Sequence, residues 1–368
     1  MEKFDIIVVG AGPGGSIAAK IAADKGYSIC LLEKEDLGKN GRYKACGGAM
    51  AWELIDKIKF PEEKIDRMVE KLILHHVDGN IYSKKGKGAV IWRNKFDKFL
   101  TDMAITSGAE LKQNEGLLEI KKINSRYLIR TSNSKYSAKY IIAADGVNSP
   151  TLSKLYWEKF DKKDLILTLT QEMELNKKKI DERLGNDEIH LFFGIKDFIP
   201  LGYAWLFPKK DALTVGWGNQ IGKIKHTKSE FNKFLNIPLV NHTIKDANLI
   251  RYTPHLIPVG VRPILYKDFV FAVGDAGGMV DPISGKGIPY AMMSAEIAIK
   301  TINYCEKRDR EEKMGETYIK RLDRSFLSIL KQKRNLREKI FQNDERLKSF
   351  LELWENHRSS EIILRNLL

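Results

Sequence analysis

The N-terminal part of the chain combines continuous apolar runs with a helical segment. Residues 4–9 are apolar except for Asp5 and are followed by a glycine, which is typical of a buried strand in a parallel sheet. A helix is expected from about Pro13 to Gly26, and residues 28–33, with an apolar centre, predict a second strand. Together these segments predict a β–α–β unit, whose two strands are parallel.

The middle of the chain follows the period of two that is typical of strands. Residues 71–92 alternate around Asp78-Gly79, a two-residue turn, and predict a hairpin that precedes a helix at 94–106. A long β-like block at 165–218 is interpreted as a mostly antiparallel second domain. Between them, strands are expected at 117–122, 126–130 and 140–146.

The C-terminal part returns to the first pattern and then becomes helical. An apolar run at 269–275 predicts a strand, followed by a glycine-rich turn and a helix from about 285 to 304. Beyond it, apolar residues recur at steps of three and four or their multiples, which predicts helix with one buried face. These residues are Ile319, Leu322, Phe326, Ile329, Leu336 and Ile340.

Composition and charge limit the cellular compartment and the kinds of partner that are expected. No run of about 18 apolar residues exists, and no cleavage-site pattern follows the first strand, so neither a membrane span nor a signal peptide is expected. The cysteines, Cys30, Cys46 and Cys305, are widely spaced, which suits a reducing, cytoplasmic setting and no metal site. The net charge of +14 favours an anionic partner, but no nucleic-acid-binding motif accompanies it, so nucleic acid is not expected.

Glycines after the first strand have a spacing that suits a pyrophosphate. Gly10, Gly12 and Gly15 form G-x-G-x-x-G between a strand and a helix, where the lack of side chains lets a pyrophosphate approach the backbone N–H groups. Glu33 ends the second strand 18 positions after Gly15, where a carboxylate can accept both ribose hydroxyls. The alternative is that these glycines serve only a tight turn.

A second glycine-rich segment, residues 274–287, favours FAD over NAD, because an NAD enzyme would not need another phosphate-contacting segment so far along the chain. Asp275 could accept a ribityl hydroxyl; an ordinary helix cap is the alternative. Gly285, Gly287 and Ile288 open a helix whose free N–H groups can stabilise the negative charge of a reduced flavin.

Arg93 precedes the helix at 94–106 and could bind the pyrophosphate with its guanidinium group, although a solvated surface arginine is the alternative. The cofactor-binding candidates are completed by Gly14, Lys34, Ala45, Cys46, Gly48 and Leu117.

Several motifs resemble those of the geranylgeranyl reductase family, among the flavoproteins of the p-hydroxybenzoate hydroxylase type. The GAGPGGS segment, R-x-x-F-D-x-x-L at 93–100, Ala-Asp-Gly at 144–146 and GDAGG at 274–278 are similar to those of the wider superfamily. The resemblance covers most of residues 4–305 and implies FAD as the cofactor. It also implies an α/β fold with a Rossmann-type FAD-binding domain, an inserted, mostly antiparallel β substrate domain and a helical C-terminal region.

A narrower resemblance lies in the second domain. Pro200-x-x-Tyr203-x-Trp205-x-Phe207-Pro208, then seven residues, then Gly216-Trp217-Gly218, is similar to the family's substrate-domain signature. The segment Lys44–Gly48 looks like its cysteine loop beside the isoalloxazine. This makes Cys46, Tyr203 and Trp205 candidate catalytic residues. The aromatic side chains share one strand face that would suit a polyprenyl chain, with core packing as the alternative. Cys46 could be a proton donor, a redox participant or a small packing residue.

The expected partition has three parts. Residues 1–70, 93–160 and 260–305 form the FAD-binding domain, residues 71–92 and 161–259 the substrate-binding β domain, and residues 306–368 a helical region. In the last part, the basic cluster Lys331–Lys339 could rest on an anionic membrane on its cytoplasmic face; a helix packed on its own domain is the alternative.

The resemblance implies an FAD-dependent reductase that saturates double bonds of geranylgeranyl chains, foremost those of archaeal-type ether phospholipid precursors. Chlorophyll or quinone side chains are alternative substrates. A flavin monooxygenase or halogenase would use the same framework, and a non-catalytic prenyl-binding carrier is a more remote alternative. Because no second G-x-G-x-x-G unit exists, electrons would come from a transient NAD(P)H or from a ferredoxin-like protein, which the net charge of +14 favours.

Overall fold

The computed structural model describes residues 1–38, 41–76, 78–194, 201–223 and 227–356. In chain order, the strands within these residues are β1 (Glu2–Val9), β2 (Ile29–Leu32), β3 (Ala49–Ala51), β4 (Arg67–His76), β5 (Ile81–Val90), β6 (Glu110–Lys112), β7 (Leu117–Ile123), β8 (Arg126–Thr131), β9 (Lys135–Ala143), β10 (Leu165–Glu174), β11 (Glu188–Phe193), β12 (Tyr203–Pro208), β13 (Ala212–Gln220), β14 (Asn248–Pro258), β15 (Tyr266–Lys267) and β16 (Val270–Ala272). The helices are α1 (Pro13–Asp24), α2 (Trp52–Lys57), α3 (Arg93–Thr106), α4 (Pro150–Lys154), α5 (Lys177–Leu184), α6 (Thr227–Leu235), α7 (Pro238–Ile244), α8 (Ile288–Glu306), α9 (Met314–Leu322), α10 (Ser328–Ile340) and α11 (Asp344–Asn356).

The chain divides into two compact units, each made of separate segments. Unit 1 comprises Met1–Arg42, Asp97–Asp161 and Pro258–Arg334. Unit 2 comprises the described residues of Tyr43–Phe96 and Lys162–Ile257, and those from Asn335 onward. The expected cofactor, substrate and tail domains stay a prediction, because the two units are defined by internal contacts and not by what they bind.

Unit 1 is built on a parallel sheet with the strand order β15-β16-β9-β1-β2-β6. The strands β6, β2, β1, β9 and β16 run parallel, and the short β15 is antiparallel to β16. Its central strand is covered on both faces, as the continuous apolar run predicts: Ile6, Ile7 and Val8 are fully buried. The antiparallel pair β7–β8 extends from the first half of β9.

Unit 2 is built on a second sheet, with the strand order β14-β10-β13-β12-β11-β4-β5-β3. Its pairings are antiparallel except for β11 with β4, among those given by register. The predicted hairpin is present as β4 and β5, and it begins at Arg67 instead of residue 71. One sheet face packs on α5, α6 and α7 around the fully buried Trp217. With the parallel sheet of unit 1 and the C-terminal helices, this confirms the predicted fold class.

A π-helical turn, Asp323–Leu327, interrupts the helical region between α9 and α10. Its wider turn shifts the phase of the buried face, so Leu327 and Leu330 are buried while Ile329 is 38% exposed. The assignment of Ile329 to the buried face is therefore wrong, although Leu322, Phe326, Leu336 and Ile340 are buried as predicted. Among the described residues, no helix is both long enough and apolar enough to cross a bilayer.

Candidate functional site

The turn between β1 and α1 in unit 1 requires two of its glycines for backbone packing. A Cβ atom on Gly15 would lie 1.8 Å from the carbonyl oxygen of Gly10, and one on Gly10 would lie 2.6 Å from that of Ala144. Gly10 also has a φ of +98°, which favours glycine. Both glycines are thus explained by the fold itself, whatever the turn binds.

Gly12 is different from its two neighbours in the motif. It is the N-cap residue of α1 and gives the helix no side-chain cap. Among the described residues, a Cβ atom here would meet only the Nη2 atom of Arg42, at 3.3 Å. Because packing does not demand a glycine here, the small residue leaves the helix N-terminus accessible, as a phosphate site needs.

Glu33 is held beside this turn. It is buried, and its carboxylate accepts hydrogen bonds from the N–H groups of Ala11 at 2.9 Å and Glu35 at 3.1 Å. The guanidinium of Arg42 lies 3.3 Å from Glu33 Oε2 and 3.7 Å from Asp97 Oδ2. Two buried carboxylates and one arginine thus surround the start of α1.

Sequence reasoning missed Arg42. The signals that were available are that it is the sole arginine of the segment 34–50 and that Asp97 is part of the R-x-x-F-D-x-x-L motif. Neither signal says that the two side chains meet, since this depends on the tertiary packing of unit 1.

Lys34 and Leu117 lie on the same edge of unit 1 as Glu33. The N–H of Glu115 donates to the Glu33 carbonyl oxygen at 2.9 Å, and a Cβ atom on Gly116 would lie 3.7 Å from the Lys34 Cβ. Leu117 then begins β7 and is half-buried. The Lys34 side chain is 71% exposed and pairs with Glu35 at 3.9 Å, so it is free to turn towards a ligand.

The second predicted segment lies in the same unit. The strand before Asp275 ends at Ala272 and not at residue 275. Asp275 itself lies in a 3-10 turn, Gly274–Gly277. Its Oδ1 atom is 3.3 Å from the place where a Cβ of Gly287 would lie. Gly287 is the N-cap of α8, which has no side-chain cap and begins at Ile288. Asp275 therefore lies at an open helix N-terminus without capping it by a side-chain hydrogen bond.

Helix α8 starts after the predicted residue 285 because Asp281 organises the preceding turn. Its carboxylate accepts the N–H groups of Ile283 and Ser284 at 3.0 Å each, and Lys333 donates to it at 2.5 Å. Burial alone would raise the pKa of Asp281, but the Lys333 ammonium and these N–H groups outweigh it and hold the pKa below its usual value. This buried ion pair was not predicted.

The starts of α1 and α8 meet at one residue. A Cβ atom on Gly14 would lie 3.1 Å from the carbonyl oxygen of Ala291, and one on Gly274 would lie 2.8 Å from the Ala291 Cβ. Unit 1 therefore brings the two predicted cofactor segments together, although they are distant in sequence.

The aromatic residues of β12 share one face of the sheet in unit 2, as alternation predicts. The ring centroids of Tyr203 and Trp205 are 6.1 Å apart. Gly216 pairs with Trp205, and a Cβ atom there would lie 2.0 Å from the indole ring. The Trp205 ring thus lies flat on Gly216, whereas Trp217 turns to the opposite face. Pro200, the first residue of the predicted signature, lies outside the described residues.

The cysteine loop packs against the same aromatic face. A Cβ atom on Gly47 would lie 2.6 Å from the Phe207 ring and 3.4 Å from Trp205 Nε1. Gly48 has a φ of +85°, and its carbonyl oxygen accepts the N–H of Ile91 at 3.0 Å, which anchors the loop. Ala45 is buried and Cys46 half-buried. Trp205 Nε1 is buried and has no hydrogen-bond partner among the described residues.

The other two cysteines are unlike Cys46. Cys30 in β2 and Cys305 in α8 are fully buried, and burial raises the pKa of the Cys30 thiol. Within the described chain, Cys46 is thus the cysteine with an accessible side chain.

A buried lysine, Lys209, directly follows β12 and was missed. Its Nζ atom is 4.1 Å from the centroid of the Trp92 ring and contacts Thr214 Oγ1. Burial lowers its pKa to about 8, against the opposing influence of Glu172, Cys46 and Asp66. A lysine that directly follows the predicted strand carries no sequence signal for burial.

Arg93 begins α3 and is half-buried in unit 2. Together with Lys44, its positive charge adds to burial in lowering the pKa of His255, to about 3. Arg93, Ala45, Cys46, Gly48, Tyr203 and Trp205 thus belong to unit 2, and the remaining candidates belong to unit 1.

Comparison with known proteins supplies the family. The model of the FAD binding domain family matches residues 3–325. A digeranylgeranylglycerophospholipid reductase of Methanococcus vannielii is 32% identical over 83% of this chain and 80% of its own length. One from Thermoplasma acidophilum is 30% identical over 89% of this chain and 85% of its own length.

Solved structures agree with these relatives. A geranylgeranyl bacteriochlorophyll reductase-like protein from Thermoplasma acidophilum superimposes with a TM-score of 0.86 at 26% identity, over 99% of this chain and 96% of that one. The flavin-dependent brominase Bmp2 reaches a TM-score of 0.75 at 15% identity over 99% of this chain and 98% of that one, which shows a common fold alone. FAD is thus the cofactor, and the chain belongs to the digeranylgeranylglycerophospholipid reductase family of FAD-binding proteins.

Proposed function

We propose that the chain is an FAD-dependent reductase that saturates the double bonds of geranylgeranyl chains in ether phospholipid precursors. The observation that carries the substrate assignment is the aromatic face of unit 2, where Trp205 lies flat on Gly216 beside the cysteine loop. A polyprenyl chain offers only apolar surface and alkene π-density for recognition, which aromatic rings match. The names of the relatives at 30–32% identity support the same substrate class.

Unit 1 would hold the cofactor. The open N-terminus of α1 at Gly12 suits the pyrophosphate, with Arg42 as an additional cation, and Glu33 suits the ribose hydroxyls. Asp275 would accept a ribityl hydroxyl, and the start of α8 favours negative charge. For Arg93, binding of the pyrophosphate stays the prediction made from the sequence. When bound and reduced, FAD supplies the hydride for the alkene.

Unit 2 would hold the alkene and supply the proton. An isolated double bond is unactivated, so the reaction depends on a close, well-oriented and water-free arrangement, which can be worth about 7–11 kcal/mol. Tyr203 and Trp205 would orient the chain. Cys46, with its accessible side chain, would donate the proton that completes the addition of hydrogen.

Mass spectrometry of prenyl lipids tests this function. Under anaerobic conditions, the dithionite-reduced holoprotein should add the mass of two hydrogen atoms per double bond to a digeranylgeranyl phospholipid. If only chlorophyll or quinone precursors were reduced, these lipids and not ether phospholipid precursors would be the substrate class. An unchanged profile with all three lipid types would refute the proposal.

The proposed electron donor is an acidic, ferredoxin-like protein. The net charge of +14 would steer such a partner to the surface. Anaerobic stopped-flow reduction by reduced ferredoxin should be faster than by NADPH and should slow as salt is added. Rapid reduction by NADPH alone would contradict this donor.

The proposed membrane contact rests on fewer residues than the sequence indicates. In α10, Lys333 pairs with Asp281 and Arg337 is buried, where it donates to the Leu201 carbonyl oxygen. Lys331 and Lys339 remain exposed. The double variant Lys331→Glu, Lys339→Glu should sediment less with anionic liposomes than the wild type, and equal sedimentation would exclude this helix as the contact.

A further inference from the structure

The aspartate of the R-x-x-F-D-x-x-L motif, Asp97, belongs to unit 1, and the proposed function does not yet use it. It lies in α3, where its carbonyl oxygen accepts a hydrogen bond from Thr101 Oγ1 at 2.9 Å. The hydroxyl groups of Thr101 and Ser16 share a further hydrogen bond, also at 2.9 Å. Because Ser16 is part of the first turn of α1, these bonds fix Asp97 beside the N-terminus of that helix.

The Arg42 guanidinium is held by two carboxylates at this place. Its Nε atom is 3.3 Å from Glu33 Oε2, and its Nη2 atom is 3.7 Å from Asp97 Oδ2. The side chains are 12% exposed for Arg42, 4% for Glu33 and 1% for Asp97. Charges so far removed from water interact more strongly than charges at the surface. One cation between two carboxylates still leaves one negative charge beside the start of α1.

The same guanidinium faces the glycine at which the pyrophosphate is expected. Arg42 Nη2 is 3.3 Å from the place where a Cβ of Gly12 would lie, and among the described residues no other contact lies within 4 Å of it. The Asp97 carboxylate is therefore farther from Gly12 than the guanidinium is. A phosphate that approaches Gly12 would meet the cation before it meets this carboxylate.

We propose that Asp97 is a positioning residue for FAD, which holds the Arg42 guanidinium in front of the N-terminus of α1. This deepens the proposed function and rests on its placement of the pyrophosphate at Gly12. Glu33 suits the ribose hydroxyls, but its carboxylate also repels a nearby pyrophosphate. A cation that two carboxylates already orient offsets this repulsion and loses little side-chain freedom when the ligand binds. The alternative is that Asp97 only packs α3 against α1.

Titration of the apoprotein with FAD separates these roles in a double-mutant cycle. Arg42→Met should raise the Kd about thirtyfold, because the cation is lost and both carboxylates remain. Asp97→Asn alone should raise the Kd about fivefold, since Arg42 loses one of the two groups that orient it. In the Arg42→Met background, Asp97→Asn should instead lower the Kd, because its carboxylate then has no cation to hold and only repels the pyrophosphate.

Lys139→Met is the matched control, since Lys139 of unit 1 also lies between two carboxylates. Its Nζ atom is 3.3 Å from Glu306 Oε1 and 2.5 Å from Glu311 Oε1, at the C-terminal end of α8. The Kd of this variant should equal that of wild type. Arg42→Lys keeps the charge without the planar fork, so its Kd should lie between those of wild type and Arg42→Met. The melting temperature verifies folding, and Arg42→Gln replaces Arg42→Met if the latter does not fold.

A change of the Kd in the same direction in both backgrounds would overturn the role of Asp97, as would a wild-type Kd in Asp97→Asn. A wild-type Kd in Arg42→Met would also refute the placement of the pyrophosphate at Gly12. The titration needs no lipid. Failure of the lipid reduction assay therefore refutes the proposed reaction separately from the role of Asp97.

Discussion

The glycines of the turn before α1 and those at the aromatic face of β12 have different tasks. In unit 1, Cβ atoms on Gly10 and Gly15 would meet backbone atoms, at 2.6 Å and 1.8 Å. In unit 2, Cβ atoms on Gly47 and Gly216 would meet the rings of Phe207 and Trp205. A backbone requirement is the same in every protein with this turn, so it leaves a recognisable spacing. A glycine that makes room for one particular ring has meaning only when the ring is known.

Gly15→Ala should have the largest effect. Its Cβ would lie 1.8 Å from one carbonyl oxygen, and backbone cannot move away as a side chain can. We expect a loss of more than about 4 kcal/mol in the free energy of unfolding, together with loss of FAD. Urea unfolding and flavin absorbance measure both. Gly86→Ala is the control, because no described atom lies within 4 Å of the Cβ position of Gly86. A stable Gly15→Ala protein that still binds FAD would contradict the backbone requirement for glycine at this turn.

Gly216→Ala should act on the substrate and spare the cofactor. The new methyl group would tilt the Trp205 ring, and a displacement of about 1 Å can lower a rate about a hundredfold. We expect FAD content near that of wild type and kcat/KM for the prenyl lipid lowered about a hundredfold. Gly218→Ala, whose Cβ would lie 3.1 Å from Thr168 Cγ2, should have a smaller effect. If Gly216→Ala lost as much FAD as Gly15→Ala, the two glycines would not serve separate cofactor and substrate sites.

Gly12→Ala should have the smallest effect. It compares Gly12 with Gly10 and Gly15, the two glycines of the same turn that backbone packing requires. Among the described residues, the added Cβ would meet only the guanidinium end of Arg42, a side chain and not backbone, so the fold should be retained. If Gly12 is where the pyrophosphate approaches, the Kd for FAD should rise about tenfold, or about 1.4 kcal/mol. Titration of the apoprotein with FAD measures it. An unchanged Kd would favour the tight-turn interpretation of this glycine.

The sequence was sufficient to predict the fold where a local residue pattern is compatible with one structure. The apolar run of β1 and the glycine spacing before α1 predicted the first β–α–β unit almost to the residue. The start of α8 was predicted too early because Asp281 organises the preceding turn, and Lys333, which is distant in sequence, pairs with this carboxylate. Such a pairing is a tertiary contact, and periodicity does not contain it.

The candidate site was only partly predictable, because tertiary contacts bring some of its residues together. Glu33 and Asp275 follow strands in known motifs, so they could be found, and their roles stay predictions. Arg42 and Lys209 have no motif of their own. What distinguishes them is the contact of Arg42 with two buried carboxylates and the burial of Lys209 against Trp92 and Thr214, which only the folded chain creates. The aromatic face was found through the family resemblance, and the close approach of Trp205 to Gly216 gives that signature its physical reason.

The π-helical turn at Asp323–Leu327 makes the C-terminal helices tolerant of a one-residue deletion at that point. A π turn holds one residue more than an α turn, so deleting one residue there would let regular α-helical hydrogen bonds form. The later side chains would keep their angular positions, and Leu330, Leu336 and the buried Arg337 would stay in their places. A deletion within the regular helix α10 would instead rotate every later side chain by about 100° around the helix axis. The effect of a deletion on these helices therefore depends on whether it falls inside or outside the π turn.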